Sequence, residues 1–421
     1  MESRERVNQA LNHKETDRVP LDLGGSAVTG MHVSTVYRLR QALQLDPPGT
    51  PVKIIEPFQM LGEIAPDLME ATGVDVVGLI SQKTMFGYTY DEWKPWTTFD
   101  GTPVLVPILF NTEPNPDGSI PMYAKGDKDT SPSAWMPKDG FYFDATERQK
   151  PLNWNDLGLE DNIEEFAPVS NEDLNYYGKQ ASRLYSTGKA ILANFGGTSF
   201  GDIALIPGLD MKDPKGVRGV KEWYMCHVRR PDFIKQIFEY QQEIAMENLG
   251  KIYKKVGDKV TAVFITGTDF GTQLKPIMSV ASFRKLYKPF HTRINEWVHE
   301  NTSWKTFIHS CGSVEAFIPE FIDSGFDILN PVQTSAANMN PQVLKDKYGE
   351  QITFWGGGVD TQNTLPFGTP EQVEKQVKER VRIFSNNGGF VFSAVHNVQP
   401  KIPIENVVTM FNALKSEWAH S

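Results

Sequence analysis

Cysteine is nearly absent from this chain. Cys226 and Cys311 are the only two in 421 residues, too few for a disulfide framework. Long apolar runs are missing as well: nowhere do about 18 such residues follow one another, as a membrane helix needs. The opening, Met1-Glu2-Ser3-Arg4-Glu5-Arg6, has no apolar signal core, so the expected location is the cytoplasm. Positive charge is in deficit, with a net charge of −10 and no run of Lys and Arg. Nucleic acid and anionic membrane surfaces are therefore not expected partners. Disorder is not expected either, because 40% hydrophobic and 22% charged residues suit a globular chain with a substantial core.

What is present is a succession of short apolar runs, rich in β-branched and aromatic residues. They fall at 19–23, 75–80, 189–194, 260–266, 305–308, 326–330, 352–355 and 389–393. Most are followed by a helical pattern, which is how parallel βαβ units read. Runs such as Val263-Phe264-Ile265 and Phe390-Val391-Phe392 are apolar throughout, as strands buried on both faces are. Helix ends fit this alternation. Thr369-Pro370-Glu371-Gln372 predicts a capping box ahead of Val373, Val377 and Val381. Asn340-Pro341 opens a helix that Tyr348-Gly349 closes. Eight runs predict one domain over residues 1–421, an α/β fold of the (β/α)8 (TIM) barrel class. Between the second and third runs lies a stretch dense in Pro, Gly, Asp and Trp, read as a β-rich insertion at 82–179 over the barrel mouth. It would serve as a lid or substrate wall, or else as a solvent-facing elaboration or a dimer contact. A homodimer is possible for such a fold.

In a barrel the chemistry sits at the C-terminal strand ends. The fifth run ends in His309-Ser310-Cys311-Gly312, the eighth in His396-Asn397, the fourth in Thr268-Asp269 and the seventh in a triple glycine before Asp360. Two imidazoles and a thiol at one mouth are three nitrogen and sulfur donors. With one open position they match a catalytic zinc site; the competing account makes Cys311 a packed residue and the histidines ordinary hydrogen-bonding groups. Asp269 and Asp360 can hold substrate, orient a ligand imidazole or move a proton, or serve as structural caps. His32, Gln273 and Asn397 are candidate substrate contacts, though His32 reads equally as a solvated loop residue. Cys226, inside a helical stretch, reads as core.

These residues resemble a known family. Arg4 to Val7, His13-Lys14-Glu15 and Asp17-Arg18-Val19-Pro20 are similar to the opening of uroporphyrinogen decarboxylase-like proteins. His309-Ser310-Cys311-Gly312, Ile318-Pro319 and the block from Gly325 to Asn330 resemble their centre. Thr369-Pro370-Glu371 and Pro403 to Val407 resemble their close. The resemblance leaves out only the insertion. That superfamily combines porphyrinogen decarboxylases with corrinoid-dependent methyltransferases. The decarboxylases' arginine-rich segment after the first strand is missing, since no arginine occurs from Leu23 up to Arg38, and Gln82 stands where they place an aspartate. The His-x-Cys after the fifth strand is similar to the methyltransferase branch, where it binds zinc with a later cysteine. Here that later position is His396, which keeps a ligand and removes a negative charge, so the zinc would be a stronger Lewis acid. The resemblance implies a methyltransferase with Zn2+, acting on a methoxy compound, methylamine or thiol. No Asp-x-His-x-x-Gly element occurs, so the corrinoid would be supplied by a partner protein. The alternative expectation is a metal-free decarboxylase in which His396 and Asp269 manage protons.

Overall fold

The computed structural model describes residues 1–418. Seven parallel strands form one sheet: β1 (Val76–Leu79), β2 (Ala190–Ala193), β3 (Ala262–Thr266), β4 (Lys305–His309), β5 (Ile328–Asn330), β6 (Thr353–Trp355) and β7 (Phe390–Val391). They are hydrogen-bonded in chain order, and they coincide with the second to eighth runs of the sequence. Side chains alternate across each strand. Val76, Ala190, Leu192, Ala262, Phe264, Phe307, Ile328, Trp355 and Val391 meet in one buried cluster. Their neighbours Val77, Ile191, Val263, Ile308, Leu329, Phe354 and Phe390 belong to a second, larger cluster under the surrounding helices. A flat sheet could not gather one face of all seven strands into a single cluster, so the sheet is curled around it. The inner cluster also takes in Val7 and Leu11 from the first helix, Ser3–Leu11, which plugs one end.

The first run, 19–23, forms no strand. It contributes one bridge, Leu21 with Phe392, yet it closes the gap between β7 and β1. The Phe392 N–H donates to the Pro20 carbonyl at 2.8 Å, the Asp22 N–H to the Phe392 carbonyl at 2.9 Å and the Asp75 N–H to the Leu21 carbonyl at 2.8 Å. The ladder is incomplete for a local reason. Pro20 has no N–H to give, and the Leu21 N–H goes to the Asp75 side chain at 3.0 Å instead of a carbonyl. The architecture is α/β and consistent with a (β/α)8 barrel whose first strand is reduced to a bridge.

Within 82–179, strands Trp93–Thr97 and Pro103–Pro107 pair with each other, and Ile120–Met122, Ala134–Met136 and Asp144–Ala145 form a three-stranded sheet. Pro103–Pro107 also pairs in parallel with Val52–Glu56. The accessory sheet thus begins upstream of β1 with Val52–Glu56, a strand absent from the sequence reading. Helix Asn171–Tyr185 runs through the boundary at 179 and packs on β1, β2 and helix Pro231–Val256. Other local readings hold: Thr369 and Gln372 make a capping box, Asn340 caps Pro341–Tyr348, and Cys226 is buried in helix Val220–Arg229. Among the described residues no helix is long and apolar enough to cross a membrane.

Asp75 is the fastening of the ring. Its fully buried carboxylate takes Arg6 at 2.7 Å and Arg18 at 2.7 Å, besides the Leu21 N–H. Removing one partner of such a buried group strands the others, at about 3–5 kcal/mol. Asp75→Ala should therefore lower unfolding stability by about that much in urea titrations, with the free-energy slope against urea unchanged. A loss within experimental error would refute this role.

Candidate metal centre at the barrel mouth

The segment His309-Ser310-Cys311-Gly312 leaves β4 at its C-terminal end, and each residue has a separate task. His309 is buried. Its Nδ1 lies 2.5 Å from Asn330 Oδ1, while Asn330 Nδ2 donates to the Trp355 carbonyl at 2.7 Å. The amide of Asn330 is thereby oriented with its oxygen toward the ring, so His309 Nδ1 is the donor and Nε2 keeps its lone pair. That lone pair lies 3.3 Å from Cys311 Sγ. The Ser310 hydroxyl accepts the Phe270 N–H at 2.9 Å. Gly312 stands at φ +85°, where a Cβ would meet the Gly271 backbone at 2.5 Å; only glycine allows the two loops to touch. Its N–H donates to Gln333 Oε1 at 2.7 Å.

The third donor comes from the loop after β7. His396 has φ +65°, a left-handed conformation uncommon for a side chain of this size, and its ring centroid lies 5.1 Å from that of His309. One ligand atom from each of His309, Cys311 and His396 lies within 4.8 Å of the others. Of the three, His309 presents a lone pair at Nε2. His396 Nδ1 accepts the Asn397 N–H at 2.7 Å, so this ring would exchange that bond, or move its proton, on binding a metal.

Electrostatics at the mouth favour a cation. Burial holds His309 neutral, its pKa pushed down to about 4. Burial and then the neighbouring His309 push His396 down to about 3. Neutral imidazole is the form that ligates metals. The Cys311 thiol is raised well above its ordinary value, first by burial and then by the Asp269 charge, so a nearby cation is what would hold it as thiolate. Asp269 accepts the Cys311 N–H at 2.7 Å, and burial raises its own carboxyl. The donor set and its outer hydrogen bonds fit a borderline-soft divalent metal.

The remaining sequence candidates are occupied by protein partners. Asp360 caps its own loop, accepting from the Gln362 N–H at 2.8 Å and Asn363 Nδ2 at 2.9 Å. His32 is buried, a correction to its reading as a solvated loop residue. It caps helix Val33–Ala42, its Nε2 lies 3.1 Å from the Phe141 carbonyl, and Phe141 and Tyr142 pack edge-on to it. Gln273 accepts from Gln333 Nε2 at 2.8 Å and donates to the Ser335 carbonyl at 2.6 Å. Asn397 joins three loops: its Oδ1 accepts the Gly30 N–H at 2.6 Å, and its Nδ2 donates to the Ala27 carbonyl and to Gln59 Oε1, both at 2.8 Å. Gln82 donates to Asp173 at 2.8 Å.

The sequence reading missed Asn330, which bonds His309, and two carboxylates whose burial raises them, Asp22 and Asp202. Asn330 ends β5, a position that marks it, but its partner lies 21 residues away. Asp22 accepts from Trp355 Nε1 at 2.8 Å, and burial pushes its carboxyl up to about 6. Asp202 follows β2 in a glycine-rich loop. Burial, with Asp269 adding to it, pushes its carboxyl up to about 6, and its charge in turn raises the Cys311 thiol.

Residues 210–417 match the model of the uroporphyrinogen decarboxylase (URO-D) family. The chain is similar in structure to a methyltransferase from Methanosarcina mazei, at 15% sequence identity with 99% of each chain covered and a TM-score of 0.56. A second structure, endo-glycoceramidase II from Rhodococcus sp. in complex with a five-membered iminocyclitol, aligns over 56% of this chain and 62% of its own. Its 8% identity and TM-score of 0.32 carry no argument. No curated protein sequence matches the chain. The family match spans Asp269, His309, Cys311 and His396, and the likeness to the methyltransferase is one of fold, over 99% of each chain.

Proposed function

We propose that the protein is a zinc-dependent methyltransferase that exchanges a methyl group between a small molecule and a corrinoid protein. The observation that carries this reading is the group of His309, Cys311 and His396 within 4.8 Å of one another, at the C-terminal strand ends where barrels keep their chemistry. Support comes from the URO-D family match, the methyltransferase of like fold and the missing arginine-rich segment of the porphyrin enzymes.

Zinc held there supplies a Lewis acid to the heteroatom that gives or takes the methyl group. Asn330 fixes the His309 tautomer so that Nε2 faces the metal. Asp269 positions Cys311 by accepting its N–H, and its carboxylate adds negative charge beside the cation. The corrinoid arrives on its own protein, and 82–179 contributes wall to the mouth.

Elemental analysis of protein purified without added metal should find about one zinc per chain in wild type and little in Cys311→Ala. Metal absent from both would overturn the proposal and favour the metal-free decarboxylase. Asn330→Ala should hold zinc about 10–100-fold more weakly in chelator competition; unchanged affinity would remove Asn330 from the site. In metal-free protein, the ring resonances of His309 and His396 should stay those of neutral imidazole from about pH 8 to about pH 5. An exposed imidazole would take its proton near pH 6.5, whereas burial delays protonation of these two to lower pH. A midpoint above about 6 for either ring would contradict its burial.

A further inference from the structure

Beside the metal centre, on the same side of the barrel, a cavity of about 280 Å³ opens between the loop after β2 and helices Val220–Arg229 and Pro231–Val256. Its size lies near the lower limit for small-molecule sites, roughly 300–1,000 Å³, so the occupant is small. Much of the wall is apolar and polarizable: Met85, Phe166, Leu205, Met211, Trp223 and Phe238 all line it. The charged groups lining it are all carboxylates, Glu165, Asp202 and Asp210, with no lysine, arginine or histidine.

The three acids are not equivalent. Glu165 is neutralised by Arg218 at 2.9 Å, and Asp210 is exposed at the rim. Asp202 is half-buried and accepts the Ala204 N–H at 3.0 Å. Its Oδ2 lies so close to the β3 loop that a Cβ on Gly267 would meet it at 2.7 Å. Two residues further along that loop, Asp269 holds the Cys311 N–H. Asp202 therefore joins the cavity to the metal centre. Asp202 stands on the cavity wall in a partly desolvated place with the Asp269 charge acting on it from behind, and no cationic side chain lines the wall, which disfavours an anionic occupant and favours a cationic one. Aromatic and thioether groups suit a cation clothed in methyl groups, which is weakly hydrated and attracted to ring faces.

We propose that this cavity binds a small N-methylated ammonium compound, with Asp202 as its counter-ion and Phe166, Trp223 and Phe238 as its apolar wall. The inference rests on the methyltransferase reading and narrows its small molecule to a cationic amine, in place of a neutral methoxy compound or a thiol.

Choline and its uncharged isostere 3,3-dimethylbutan-1-ol test this directly, by titration calorimetry on wild-type protein as purified. Choline should bind at least about tenfold more tightly than the isostere, about 1.4 kcal/mol, and Asp202→Asn should abolish that preference while its zinc content stays at the wild-type level. Equal binding of the two compounds, failure of both to bind, or an Asp202→Asn protein that still prefers choline would overturn the proposal. The wild-type comparison needs no variant to fold. Zinc content is measured separately, so a protein that holds zinc but ignores choline defeats this inference and leaves the methyltransferase reading in place.

Discussion

The buried carboxylate of Asp75 decides whether the ring closes. It gathers Arg6 from the plugging helix, Arg18 and the Leu21 N–H, and so holds the first segment of chain between β7 and β1. That segment does more than fill a gap. The loop after β7 is laid along it: the His32 N–H donates to the Val398 carbonyl at 2.9 Å and the Val398 N–H to the Gly30 carbonyl at 3.0 Å. Asn397 reaches back to Gly30 and Ala27. His396 lies inside this run, and its left-handed backbone is held by neighbours on either side. The third donor of the candidate metal centre therefore depends on the closure of the barrel, while the first two leave β4 and are set by β5, β6 and the loop after β3.

A division of labour follows in the His-Ser-Cys-Gly segment. Two residues present donors, and the other two fasten the loop to its neighbour through a hydroxyl and through the absence of a Cβ. Outer partners fix what the donors can do. A chain from the Trp355 carbonyl through Asn330 to His309 sets one imidazole, and Asp269 sets the thiol's backbone. These outer bonds orient the donors toward one another.

The strands were legible because both faces of each are buried. Apolar runs flanked by turn residues located β1 to β7 within a few residues, and strand-end chemistry brought out His309, Cys311, His396 and Asp269. What stayed hidden depends on partners far away in the chain. The strand at Leu21 is missing because a side chain 54 residues away takes its N–H, which no local pattern reports. Val52–Glu56 became a strand because Pro103–Pro107 offered it an edge. Asp202 lies in a loop with no periodicity, and its interest comes from Asp269, 67 residues on. His32 and Asn397 were polar residues at strand ends, as a substrate contact would be. Both are buried and bonded to neighbouring loops.

Charge at the mouth bears on the two chemistries weighed for this chain more directly than any single motif. A porphyrinogen brings a set of carboxylates, which an enzyme must meet with basic groups. Here Asp202, Asp210 and Asp269 stand near the mouth, and no basic side chain lines the adjoining cavity. Carboxylates placed there would repel such a substrate, the more strongly where the effective dielectric is low. A divalent cation held beside Cys311 would reverse that argument locally. It would stabilise the thiolate and offset Asp269, with Asp202 left as the acid on the cavity wall without a basic neighbour there. The same negative potential that disfavours a porphyrinogen thus favours first a metal and then, one layer further out, an organic cation.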